Sequence, residues 1–314
     1  QPTVDAPGTY DLLVTNTAHG CTQTASVVVS ENVTPPVAEA GPTFVLTCDN
    51  PSLSLNGAGT STGPNFQYLW TTTNGKIENG STGLMPTVSL PGNYALLVTN
   101  NSNGCTATDA VQVSSDMQQP VLSSGVPNVI TCLVKNVTLQ ATATNAGSSP
   151  QYQWSTQNGN IVSGQTTLSP TVNVAGVYTL VVENPATGCT NSITTTVQEN
   201  ITPPGVSIGN PALLTCTVTQ LSLNATPSPG ASLQWSTPNG NILSGATTVS
   251  PLVNAPGTYN LLVTDNANGC TNTAGVQVLQ EQNIPTGFDF VLTPPNCRGQ
   301  LGIVNFAAVQ GGIG

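Results

Sequence analysis

The chain has 314 residues, 38% of them hydrophobic, which is enough for several packed cores and is not the composition of a disordered chain. Only 5% are charged, with three strong bases (Lys76, Lys135, Arg298) against thirteen carboxylates and a formal net charge of -10, where an ordinary soluble domain is roughly 25% charged. So negative a surface repels phosphate backbones and excludes nucleic acid as a partner, and no run of about 20 apolar residues exists to form a membrane span.

The elements repeat in chain order. Residues 1–32 open on PGTY and the apolar strand DLLVTN, then turn into a cysteine, Cys21. Residues 33–116 run through LTC (Cys48), the alternating stretch PSLSLNGAGTS, QYLW (Trp70), NGKI, MPTV, PGNY (Tyr94) and LLVTNNSNGCT (Cys105). Residues 117–200 repeat the order with Cys132, NVTLQATATN, QYQW (Trp154), NGNI, SPTV, AGVY (Tyr178) and TGCT (Cys189). Residues 201–282 do so again with LTC (Cys216), LQW (Trp235), NGNI, SPLV, PGTY (Tyr259) and NGCT (Cys270), and 283–314 are a divergent front half holding Cys297. The cysteines are spaced 27, 57, 27, 57, 27, 54 and 27 residues apart, a period of 84, 84 and then 81. That is the size of a small β-sandwich domain and too long for a solenoid turn.

Apolar and polar residues alternate with period two between Gly, Pro, Asn and Asp turns, and no helical period is present. Roughly seven short β segments per repeat argue for an all-β chain of tandem immunoglobulin-like sandwiches. Trp70, Trp154 and Trp235 fall in the third strand, and Tyr94, Tyr178 and Tyr259 open the penultimate one, the core-Trp and tyrosine-corner positions of that fold. Where an antibody domain places its core cysteine stand Leu96, Leu180 and Leu261. Aliphatic packing therefore holds each core, and the cysteines lie elsewhere. The junctions ENVTPPV, SDMQQPV, ENITPPG and EQNIPTG are short and all bear proline, so a linear, semi-rigid rod is expected.

The set LTC, QYxW, NGxI, SPTV, PGTY and LLVTDNANGCT resembles the tandem Ig-like and PKD-like repeats of giant surface adhesins and extracellular filament proteins of gliding bacteria with type IX secretion. The resemblance covers residues 1–282 and weakens over 283–314. It implies an extracellular or cell-surface, non-enzymatic chain built as a long array.

The chemistry-bearing residues fit that reading. Eight regularly placed cysteines without a CxxC, and a single histidine, His19, point to disulfides in an oxidising compartment and to no zinc site. Three pairings are open: within a repeat (Cys48 with Cys105, Cys132 with Cys189, Cys216 with Cys270), between cysteines 27 residues apart, or between repeats. In an Ig-like order the LTC cysteine sits at one pole and the NGCT cysteine at the other, and a disulfide needs Cα atoms within about 7 Å. In a head-to-tail rod those poles face each other, giving Cys48 with Cys189 and Cys132 with Cys270 and leaving the outer cysteines for further neighbours.

Glu31, Glu199 and Glu281, near Asn32, Asn200 and Asn283, supply too few oxygens for calcium and read as solvated linker. His19 is a turn residue, Asp5, Asp11, Asp109 and Asp265 form no recurring carboxylate pair, and no catalytic residue, metal or cofactor is expected. The strict period of the Trp and Tyr residues makes them core rather than sugar-stacking platforms, while Phe288 and Phe290 are core or contact residues. Asn-x-Ser/Thr triplets at Asn32, Asn100, Asn136, Asn200 and Asn224 arise from abundant Asn and Thr and predict no decoration. Expected partners are neighbouring copies or repeats of the same array, by strand complementation of the split halves 1–32 and 283–314, or surface glycans. The same halves also fit a window of a longer array. The alternative function is a carbohydrate-binding accessory array of a secreted enzyme.

Overall fold

In the computed structural model, which describes residues 1–281, 287–295 and 297–310, every regular element is a β-strand. Val, Thr, Ile, Tyr and Leu fill these strands because branched and aromatic side chains pack well on a pleated surface. Asn283 and the side chain of Phe288, for which roles were expected, lie outside the described residues. The chain forms two compact units. The second sequence repeat contributes Thr142–Tyr152 and Val181–Ser192 to the first unit and its remainder to the second.

The first unit contains a complete sandwich over the first full repeat. Phe44–Thr47 pairs parallel with Thr106–Asp116, which pairs antiparallel with Gly92–Asn100, which pairs antiparallel with Phe66–Thr72. Leu53–Ser54, Thr87–Leu90 and Lys76–Asn79 form the second, three-stranded sheet. Four strands facing three, with the first edge strand switched onto the sheet of the last, is Ig-like strand order. Period-two alternation places Tyr94, Leu96 and Val98 on the face toward Trp70, Leu46, Leu55 and Val88, all buried in one core.

The two aromatic markers tie the sheets together by hydrogen bonds as well as by area. Trp70 Nε1 donates to Gly83 O at 3.0 Å. Tyr94 Oη donates to Leu90 O, four residues upstream, at 2.5 Å and accepts the Lys76 amide at 2.9 Å, the tyrosine corner. Buried phenol and indole groups are thus satisfied, which is what lets these large rings stay inside.

The second unit repeats the plan. Ser232–Ser236, Gly257–Thr264 and Thr271–Val278 form one sheet, and Leu221–Ser222, Leu252–Val253 and Ile242–Ser244 the other, around Trp235, Tyr259, Leu261 and Val263. Trp235 Nε1 donates to Thr248 O at 3.0 Å, and Tyr259 Oη donates to Ala255 O at 2.7 Å. From the second repeat, Trp154 Nε1 donates to Thr167 O at 2.8 Å, Tyr178 Oη donates to Val174 O at 2.5 Å, and Ile130–Thr131 pairs parallel with Glu199–Asn200. The LTC turn is therefore anchored beside the last strand of its own repeat in both units.

Residues 8–29 form a separate two-stranded hairpin, Gly8–Thr15 with Thr22–Val29, and 287–310 another, Gly287–Thr293 with Ile303–Gln310.

Candidate functional site

The cysteine-bearing turns are the part of the chain that sequence and structure both single out. Each is built by local hydrogen bonds that its residue types dictate. In the LTC turns, Thr47 N donates to Asn50 O at 3.1 Å and Thr47 Oγ1 accepts Asn50 N at 3.2 Å. Thr131 with Val134, and Thr215 with Val218, make the same two bonds at 2.9 Å. A Thr hydroxyl reaching the amide three residues on closes the turn and fixes the cysteine at its tip.

The NGCT loops are Asx-type turns. Asn16, Asn100, Asn184 and Asp265 each accept, on their side-chain oxygen, the amide two residues on, at 3.0, 3.0, 3.1 and 2.8 Å. Each also accepts on its carbonyl the amide of the loop glycine, Gly20, Gly104, Gly188 or Gly269. These glycines have φ of 67, 74, 67 and 70°, the left-handed region that disfavours other residues. The glycine turns the chain into the strand that begins at or just after the following cysteine.

Turn and loop meet in two bridges. Cys48 is bonded to Cys189 and Cys132 to Cys270, each with Cα atoms 5.0 Å apart. Of the three pairings left open by the sequence, the structure makes the one that joins an LTC turn to the NGCT-type loop of the following repeat. The within-repeat pairing and the 27-residue pairing are not made. The first bridge is reinforced by the Asp49 amide, which donates to Thr187 O at 3.1 Å. Bridges spanning 141 and 138 residues constrain the unfolded chain by about 2–4 kcal/mol each. Cys21, Cys105, Cys216 and Cys297 are free thiols, and all but the half-buried Cys105 are exposed.

The position before the loop glycine does a second job that the sequence reading missed. Asn268 Nδ2 donates to Asn200 Oδ1 and to Thr202 O, both at 3.0 Å, while its Oδ1 accepts the Cys270 amide at 2.8 Å. Asn103 makes the equivalent bonds to Asn32 Oδ1 and Thr34 O at 3.2 and 3.0 Å. The loop therefore clamps the ENxTPP linker that leads into its own repeat. At Thr187, which has no carboxamide, the linker is SDMQQP and the loop clamp is not made; what remains is the bond from Asn191 Nδ2 to Pro120 O at 2.8 Å, which Asn272 Nδ2 also makes, to Pro204 O at 2.9 Å, beside the Asn268 clamp. The signal was present in the sequence: loop Asn occurs with ENxTPP, and loop Thr with SDMQQP.

The remaining candidates sort plainly. His19 sits exposed in the first loop, at the position of Asn103 and Asn268. Asp109 Oδ2 accepts the Ala40 amide at 2.7 Å, and Asp265 shapes its own loop, so both carboxylates hold backbone. Among the described residues no three His, Cys, Asp or Glu side chains gather as a metal group, and no buried side-chain polar atom lacks a partner. Trp70, Trp154 and Trp235 are buried and present no ring face to a sugar. No helix among the described residues is long and apolar enough to cross a membrane.

No known family's sequence pattern matches the chain, and no curated protein does. Among solved structures the chain is similar to the I-band fragment I67-I69 from titin, at 11% identity over 80% of this chain and 100% of that one, with a TM-score of 0.37. It is similar to Sidekick-1 immunoglobulin domains 1-5 at 14% identity, covering 89% of this chain and 68% of that one, TM-score 0.28. It is also similar to Drosophila N-cadherin EC1-4 at 12% identity, covering 87% and 84%, TM-score 0.28. At such identities and scores the fold assignment stands on the chain's own strand order and core.

Proposed function

We propose that this chain is an extracellular structural repeat protein, the stalk of a bacterial surface adhesin or the body of an extracellular filament, in which disulfide-stapled sandwiches in series give a stiff rod. The observation that carries this reading is the pair of bridges that join an LTC turn to the NGCT-type loop one repeat further on. A staple between successive repeats holds those repeats together, which a within-repeat staple does not. Disulfides persist in oxidising compartments, which supports an extracellular or cell-surface location. The sparse charge and the absence of any recurring acid, base or nucleophile group support a non-enzymatic role. Buried Trp residues weigh against the glycan-binding array. The domain boundaries 33–116, 117–200 and 201–282 belong to this same reading, since each range encloses one Trp, one Tyr corner and one turn-and-loop pair.

Limited proteolysis and single-molecule extension of the chain, each with and without reductant, test the proposal. A stiff, protease-resistant species that softens on reduction is the expected result. A chain whose extension and cleavage are unchanged by reduction overturns it, and tight capture on a glycan array favours the carbohydrate-binding alternative.

A further inference from the structure

The sequence holds seven Asn-Gly pairs, opened by Asn56, Asn74, Asn79, Asn103, Asn158, Asn239 and Asn268. In such a pair the glycine nitrogen, unhindered because glycine has no Cβ, can attack the carboxamide carbon of the asparagine before it. Attack requires the glycine amide to lose its proton and the carboxamide to swing onto the nitrogen. A hydrogen bond on either group opposes it, because a bonded amide gives up its proton only when the backbone around it opens.

Six of the seven pairs are held. The amides of Gly75, Gly159 and Gly240 donate to the Oγ1 atoms of Thr72, Thr156 and Thr237 at 2.9, 2.9 and 2.8 Å. The Gly57 amide donates to Leu84 O at 2.9 Å, and Asn56 Oδ1 accepts the Ala58 amide at 3.1 Å. At the two linker clamps both reacting groups are engaged. Gly104 and Gly269 donate to Asn100 O and Asp265 O, each at 2.7 Å, and the carboxamides of Asn103 and Asn268 are bonded at both their oxygen and their nitrogen. The seventh pair differs. Asn79 and Gly80 are exposed, and neither the Asn79 carboxamide nor the Gly80 amide has a partner among the described residues.

Asn79 also stands at a sensitive place. It ends the strand Lys76–Asn79, and Gly80, at φ 70°, opens a loop whose carbonyls hold the core. Ser81 O accepts the Trp70 amide at 2.7 Å, Gly83 O accepts the Trp70 indole at 3.0 Å, and Leu84 O accepts the Gly57 amide. The later repeats build the same loop, with Gln165 O and Thr167 O on Trp154, Ala246 O and Thr248 O on Trp235, and Gly164 and Gly245 at φ 75 and 73°. There the residue before the glycine is Ser163 or Ser244. The loop therefore does not need asparagine, and among the three full repeats only the first puts a carboxamide there.

We infer that Asn79 is a site of spontaneous hydrolytic modification, and that the fold confines this reaction to one Asn-Gly pair of the seven. The Gly80 amide gives its proton to hydroxide, its nitrogen bonds to Asn79 Cγ, and the Cγ–Nδ2 bond breaks, so that ammonia leaves with a proton returned by water. Water then opens the five-membered imide at either carbonyl and leaves an aspartyl or an isoaspartyl residue. One water is consumed and one ammonia released, without oxidant or cofactor. Either product sets a new carboxylate beside Glu78. The isoaspartyl product also adds a methylene to the main chain, just ahead of the carbonyls that hold Trp70. Because the step needs only water, the inference stands apart from the structural-array reading.

The full 314-residue chain, kept folded in mildly alkaline heavy-oxygen water and then mapped by peptide mass, tests it. The Asn79 peptide should take up heavy oxygen and isoaspartate well before the other six pairs, and Gly80 should be the fastest of the seven glycine amides in hydrogen exchange. Asn79→Ser installs the residue of the later repeats, and should keep the fold and remove the early release of ammonia. In denaturant the seven pairs should react at similar rates. As the folded chain ages, exchange at the Trp70 amide should speed up while that at Trp154 and Trp235 does not. Another pair converting as early as Asn79 in the folded chain, the same order of reaction in denaturant as in the fold, or ammonia release unchanged in Asn79→Ser overturns the inference. None of these outcomes bears on how the chain responds to reductant.

Discussion

Hairpin 92–113 and hairpin 8–29 are two copies of one phrase with opposite fates. Both pair antiparallel in the same register, and both carry a Tyr corner, Tyr94 to Leu90 O and Tyr10 to Ala6 O at 2.8 Å. Leu96 is 0% exposed and Leu12 is 63% exposed. Strand pairing and the corner are therefore set locally, by β-branched residues, the NG-type turn and the Tyr hydroxyl, whereas burial depends on a front half coming to cover the face. A two-stranded hairpin alone is marginal in water, so the covered copy shares a core whereas the uncovered one is held by its strand pairing and its Tyr corner alone.

The comparison breaks hardest at its leucines. Leu96→Ala should cost about 2–5 kcal/mol, the range for emptying a packed site. Leu12→Ala should stay within about 0.5 kcal/mol in the reduced, separate chain, as an exposed residue does. Denaturant midpoints of the two variants measure the difference, and equal costs would show that the hairpins are not in different states.

Next come the cysteines. Replacing both Cys48 and Cys189 with Ser should lower stability by about 2–4 kcal/mol under oxidising conditions, and the difference should vanish in reductant. Cys21→Ser alone should shift the midpoint by no more than about 0.5 kcal/mol. A large effect at Cys21 in the monomer would mean that its thiol already has a partner within the chain.

Much of this was legible in the sequence because repetition exposes it. A fixed period for Trp, Tyr and Cys marked the core, the corner and the poles, and alternation marked the strands. The bridge pattern was narrower: Cα separation ruled on topology, but three pairings fitted the spacing until the LTC turn and the NGCT loop were placed in space. The linker clamp by Asn103 and Asn268 escaped because its partners, Asn32 and Asn200, lie 71 and 68 residues away. Only the co-occurrence of loop Asn with ENxTPP hinted at it. The exposure of Leu12 and Leu292 was equally hidden, since each sits in a phrase identical in kind to a buried one.

A smaller effect separates the two corners. Tyr94→Phe leaves the Lys76 amide and Leu90 carbonyl without a partner in a part-buried site, at a cost of about 1–3 kcal/mol. Tyr10→Phe removes one bond at an exposed corner where water replaces it, and should cost less than about 1 kcal/mol. Hydrogen exchange at the Lys76 amide should speed up in the first variant, whereas unchanged protection there would mean that the corner does not hold the strand.

The smallest difference lies on the surface of the same sandwiches and concerns pH. The Ser89 hydroxyl, and secondly the Lys76 ammonium at 2.9 Å, hold the Glu78 carboxyl below the ordinary carboxylate pKa. Its folded pKa is depressed, so its contribution is present above the unfolded value and is lost as pH falls through the folded one. In the later repeats Lys76 is replaced by Asn160 and Asn241, Ser89 by Asn173 and Asn254, and Glu78 by Val162 and Leu243. There an amide donates to an amide, Asn160 Nδ2 to Asn173 Oδ1 and Asn241 Nδ2 to Asn254 Oδ1, each at 2.7 Å. Neither amide pair titrates, so the acid sensitivity of this edge belongs to the first full repeat alone. Ser89→Ala should raise the Glu78 midpoint in an NMR titration, by more than Lys76→Gln does. Added salt should erode the Lys76 share and leave the Ser89 share in place, because screening weakens an exposed ion pair far more than a hydroxyl bond. If salt abolished the whole shift, Lys76 rather than Ser89 would be the group that sets it.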